Sequence, residues 1–183
     1  MSAVLHELNC PWHEGRDCDC GPIIHPTAVI GDPPEHRDHH LSDPGHTPVI
    51  GHGTRINSYV TVDAGTARPT RIGNGCLAMS KVHIAHDCLV GDGCEIASGA
   101  VLGGWVELGE NVKVGLNATI RPRIKVGAGA RIGAGAVVVK DVPAGETWVG
   151  NPAREISQAR SADSIWRERY RYENHTPVRG VPA

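Results

Sequence analysis

The segment Val82-His83-Ile84-Ala85-His86-Asp87 sets two imidazoles three residues apart and a carboxylate directly after the second. Histidine titrates near neutral pH, so an imidazole here can take a proton from an attacking hydroxyl or amine. His86 is therefore the candidate general base. Asp87 is its candidate partner, although Asp also suits a tight corner by itself. His83 has two readings, a substrate contact or a residue facing a neighbouring subunit.

A second constellation lies near the start. Cys10, His13, Cys18 and Cys20 bring three thiols and one imidazole into eleven residues. Such a set suits tetrahedral zinc with four protein ligands, a structural site with no open position. The alternative is reduced, unliganded cysteines. The other three cysteines, Cys76, Cys88 and Cys94, fall in an inward-facing series described next and read as core.

These residues must be held by something, and the sequence states what. Stepping by six from Ile72 gives Ala78, Ile84, Val90, Ile96 and Leu102, and the series stays aliphatic to Val138. A second series, four residues later, runs from Cys76 through Val82, Cys88, Cys94 and Ala100 to Val142. It is small or β-branched throughout. A period of six is too long for a helix and requires a corner between short strands. Corner residues recur three places after each aliphatic position: Gly75, Gly93, Gly99, Asn111, Asn117, Gly129 and Gly135 accept left-handed backbone angles. With Phe absent, the core must be narrow and filled by small and branched side chains. By the side-chain pattern, Ile84 points inward, which leaves His83 outside and His86 at a corner.

Sorting the corners by a period of eighteen separates three edges. Two are made largely of Gly and Asn. The third reads Asp87, Trp105, Arg123, Asp141, with His86, Gly104, Pro122 and Lys140 one position earlier. Trp and Arg are poor choices for a left-handed corner, so something besides turn geometry selects them, and breaches of local rules concentrate at functional sites. Gly104 lies one coil beyond His86 on this edge. Its amide could serve an oxyanion formed on attack of a thioester, or it could be an ordinary turn glycine. The bulky Trp105 beside it suggests a short acyl chain, or an aromatic wall that contacts the acceptor. By charge and position, Arg121, Arg123 and Lys140 are candidates for binding phosphates.

Upstream, the series continues through Ile24, Ile30, Ile50, Ile56 and Val62, interrupted by a His/Asp/Pro-rich loop over 31–49 and a shorter break near 66–71 that could overhang the third edge. The chain thus divides into a Cys/His-rich segment (1–23), about six stacked coils (24–153) and a tail (154–183). In the tail, Ser161 to Tyr170 reads as a short helix that caps the stack or brings its arginines to a substrate. Net charge is −2, so nucleic acid is not an expected partner. Met1 to Asn9 hold no long apolar stretch, so no signal peptide is expected, and no run approaches the roughly 18–20 apolar residues that span a membrane, so a cytoplasmic protein is expected.

The hexapeptide units resemble the left-handed parallel β-helix proteins, so the fold expected is all-β with a short C-terminal helix. Ile72 through Lys113, with His-Ile-Ala-His-Asp-Cys at 83–88 and Leu-Gly-Gly at 102–104, is similar to the UDP-N-acetylglucosamine O-acyltransferases of lipid A synthesis. Val126 through Pro143, followed by Val149-Gly-Asn-Pro-Ala-Arg154, resembles the acetyl-CoA-dependent sialic acid and UDP-amino-sugar acetyltransferases. The resemblance implies an acyl-CoA donor and a small acceptor. It also implies His86 as base, Asp87 orienting it, Gly104 as oxyanion donor, and a site between subunits of a homotrimer. Leu116 and Ala134 would then come from the neighbouring chain. Two other functions fit the same prism. A γ-carbonic-anhydrase-like enzyme would need a histidine-bound zinc between subunits, and a trimeric scaffold would need no chemistry at all.

Overall fold

The computed structural model describes residues 21–34 and 43–156. All of its regular structure is strand, in pieces of two to four residues. Strands pair in parallel with those one coil before and one coil after, so that Glu95 is registered with both Leu77 and Lys113. Three sheets of eight, six and five strands form the three faces of a parallel β-helix. About six coils are stacked between Ile23 and Val149.

The first face includes Leu77–Ala78, Glu95–Ile96 and Lys113–Val114. The second includes Thr61–Asp63, His83–Ile84 and Val101–Leu102. The third includes Arg71–Ile72, Leu89–Val90 and Glu107–Leu108. Both inward series are buried along their whole length from Ile72 to Val142, Cys76, Cys88 and Cys94 included. Only one residue of each short strand faces the axis, which is why a chain without Phe fills this interior. Each buried Val, Leu or Ile contributes about 1.5–3 kcal/mol.

The corners behave as their residue types require. Every member of the corner series from Gly75 to Gly135 is left-handed, with φ from 53° to 75°. Most corner N–H groups donate to the coil before, as Trp105 N does to the His86 carbonyl (3.0 Å) and Arg123 N to the Gly104 carbonyl (2.9 Å). Asp141, expected to continue the series, is not among the left-handed residues. Its carboxylate instead accepts the Lys125 N–H (2.8 Å), taking the place of the next-coil carbonyl that serves in the other coils. The coil ends there, with Val142 forming a single bridge to Val126.

Beyond Val149 the chain reverses, and Arg154–Glu155 pairs antiparallel with Thr147–Val149, so the tail leaves the prism as a strand. The expected helix at 161–170 lies outside the described residues, as does the Cys10, His13, Cys18, Cys20 set. Among the described residues, no group of three or more His, Cys, Asp or Glu is arranged to hold a metal ion. No described helix is long and apolar enough to cross a membrane.

Candidate active site

The third edge gathers its unusual residues around one buried carboxylate. Asp87 is fully buried. Its Oδ2 accepts from His86 Nδ1 (2.7 Å), from the Thr66 hydroxyl (2.6 Å) and from the Thr66 N–H (3.0 Å). Its Oδ1 accepts from the Ala67 and Arg68 N–H groups (2.9 and 2.8 Å). Burial alone would raise this carboxyl. The Thr66 hydroxyl, the Ala67 amide and His86 outweigh it and hold the group well below the usual carboxylate range.

Four of these donors come from the short insertion. Successive inward positions are six apart in the repeat, but Val62 and Ile72 are ten apart, so four extra residues loop out between the second and third faces. Gly65 starts the loop, and a Cβ there would collide with the Arg68 carbonyl. The upstream insertion braces it, since His46 and Gly65 exchange backbone hydrogen bonds of 2.8 and 2.9 Å. The sequence located the overhang but not its task. The clue was its length and edge, whereas a row of backbone amides leaves no mark in residue types.

His86 is fixed from both sides. With Nδ1–H donated to an ionised carboxylate, the acceptor lone pair is on Nε2. That nitrogen faces Gly104, where an ideal Cβ would sit 2.6 Å from it. Gly104 is buried and is not left-handed. The need for glycine is therefore room for the imidazole, not turn geometry. Its carbonyl is engaged with Arg123, while none of the hydrogen bonds among the described residues uses its N–H.

Trp105, the next residue, lies between two guanidiniums. Arg68 is 4.9 Å and Arg123 5.4 Å from its ring centroid, which accounts for a Trp and an Arg at left-handed corners costing about 1–2 kcal/mol each. Arg68 also donates from Nε to the Asp87 carbonyl (3.0 Å) and pairs with Glu107 (3.3 Å). Arg121 and Arg123 stand exposed one coil beyond Gly104, and Lys140 one coil further, roughly 14 Å from His86 at about 4.8 Å per coil. His83 stands outside on the second face, with Nδ1 on the Thr61 hydroxyl (2.7 Å) and Nε2 3.9 Å from the buried Asp63. The Asp63 contact was not visible in the sequence.

Leu116 and Ala134 are not near His86 in the chain. They lie on the edge between the first and second faces and line a mainly apolar groove of about 480 Å³ with Met79, Val149 and Ile156. Leu116 is 52% exposed there. One chain thus carries the imidazole edge and the leucine edge on opposite sides of its second face.

Residues 69–104 and 106–140 match the model of bacterial transferase hexapeptide repeats. A 72-residue stretch, 38% of this chain, is 40% identical to the acyl-[acyl-carrier-protein]–UDP-N-acetylglucosamine O-acyltransferase of Azorhizobium caulinodans and covers 26% of that protein. The chain spans about a quarter of the length of the curated relatives it matches. The UDP-N-acetylglucosamine O-acyltransferase of Moraxella catarrhalis is similar over 84% of this chain and 65% of its own, at 29% identity and a TM-score of 0.71. The acetyltransferase domain of PglB from Neisseria gonorrhoeae, in complex with acetyl coenzyme A, is similar over 74% and 54%, at 29% identity and a TM-score of 0.55. Residues 69–104 and 106–140 of this chain thus resemble bacterial transferase hexapeptide repeats.

Proposed function

We propose that this chain of bacterial transferase repeats is an acyltransferase. In this reading it moves an acetyl or other short acyl group from acyl-CoA to a hydroxyl or amine of a small acceptor, a sugar or nucleotide-sugar. The observation that carries the reading is the line Asp87–His86–Gly104: a carboxylate on Nδ1 and a side-chain-free backbone against Nε2. His86 Nε2 takes the proton as the acceptor oxygen or nitrogen attacks the thioester carbonyl carbon. Asp87 keeps the proton on Nδ1 and stabilises the imidazolium that forms. The Gly104 N–H donates to the oxygen that becomes negative, a contribution of about 3–4 kcal/mol where such donors have been removed. The carbon–sulfur bond then breaks, and the imidazolium returns its proton to the departing thiolate.

Further support comes from Trp105, whose bulk beside Gly104 favours a short acyl chain. Arg121, Arg123 and Lys140 follow the same edge and suit the phosphates of the donor. Relatives acting on UDP-N-acetylglucosamine support the acceptor class, and the PglB domain with acetyl coenzyme A supports the donor. In a homotrimer the imidazole edge of one protomer would face the Leu116–Ala134 edge of its partner, closing the site in the seam. Acyl-CoA supply fits a cytoplasmic enzyme. Acyl transfer from acetyl-CoA to a panel of amino sugars and nucleotide-sugars, followed as thiol release, tests the reading. His86→Ala should lower turnover about 10²-fold or more. Turnover within twofold of the parent would overturn it.

A further inference from the structure

We infer that Thr66, in the short insertion, is a positioning residue that sets the basicity of His86 through the carboxylate they share. This rests on His86 as the base. The Thr66 hydroxyl and the His86 ring both donate to Asp87 Oδ2, at 2.6 and 2.7 Å. The two donors therefore compete for one oxygen. Each hydrogen bond accepted spreads the negative charge and weakens the others to that oxygen, and hydrogen bonds to charged groups are the strong ones. The amides of Ala67 and Arg68 hold Oδ1, so the carboxylate cannot rotate to relieve the competition. Removing the hydroxyl alone leaves the same carboxylate, still ionised and still held by three amides, with more of its charge directed at the imidazole.

Among the described residues, the neighbouring charged groups are engaged elsewhere. Arg68 is engaged with the Asp87 carbonyl, Glu107 and the Trp105 face. Asp63 and His83 belong to the preceding face, Asp63 3.9 Å from the His83 ring. The next coil presents Gly104 and Trp105, neither of them charged.

Thr66→Val keeps the shape and deletes the donor, and Thr66→Ser keeps the donor. The His86 ring would be titrated by nitrogen-correlated NMR in the full chain, with the acid limb of the transfer rate followed beside it. In Thr66→Val the His86 midpoint should move up, because the imidazolium gains a stronger partner. The acid limb should move with it, and Thr66→Ser should titrate like the parent. A midpoint unchanged in Thr66→Val, or displaced equally in Thr66→Ser, would overturn the inference while leaving His86 as base. Full activity in His86→Ala would instead remove the proposed function, and the ring titration would still report the coupling between Thr66 and His86.

Discussion

Gly104 lies so near His86 that a single added methyl would sit 2.6 Å from Nε2. Nothing in the backbone angle of Gly104 demands glycine, so the imidazole alone excludes a side chain. This separates two explanations that are indistinguishable in sequence, a turn glycine and a glycine that makes room.

Gly104→Ala should therefore fold and yet displace the imidazole. Misplacement of a reacting group by about 1 Å can cost 10²-fold in rate, and a loss of that order is expected in turnover, beside a fall in stability of about 1–3 kcal/mol from the crowded site. Turnover close to the parent's would mean that the ring has no fixed task at Gly104.

Asp87→Asn should destabilise the fold by about 3 kcal/mol at neutral pH, since one amide oxygen cannot replace a carboxylate facing five donors. The folded Asp87 carboxyl is depressed, so its contribution is complete above the unfolded value of about 3.9 and is lost as pH falls below it. Urea denaturation at pH 7 should separate the two proteins widely, and the gap should close as pH falls below about 4. A gap constant with pH would show that the charge of Asp87 does not contribute.

Thr70 is fully buried, and its hydroxyl finds no hydrogen-bond partner among the described residues. Thr70→Val preserves the volume and removes an unsatisfied group, so a gain of about 1 kcal/mol is expected. Thermal denaturation would detect it. A loss of stability would point to a hydrogen bond made by that hydroxyl.

Cys88 is buried, and burial pushes its thiol up to about 12. At pH 8 it should resist iodoacetamide in the folded protein and react only after unfolding, because the thiolate is the nucleophile. Peptide mapping by mass spectrometry distinguishes it from the other cysteines. Rapid native labelling would mean that the coil opens there.

The sequence alone determined the architecture, because the physics of a coil is local and repeated. An inward residue every six positions, a small partner four later and a left-handed corner three later leave their mark as residue types, and from Ile72 to Val142 the two inward series proved buried, although upstream Ile24 is exposed and Ile30 only half-buried. It also singled out His86, because a corner edge without Gly or Asn breaks a local rule. What only the tertiary structure decided is how that edge is held. Four of the five donors on Asp87 come from an insertion about twenty residues away, and three of them are main-chain amides, which any residue type except proline supplies. The same holds for Trp105, whose place between Arg68 and Arg123 depends on a loop folding over from another coil. Asp141 went the other way. Its residue type suited a corner, but with no further full coil on that face its carboxylate was needed to satisfy the Lys125 N–H. Residue types record what each position requires of itself, and contacts between distant backbones record only where the chain has come together.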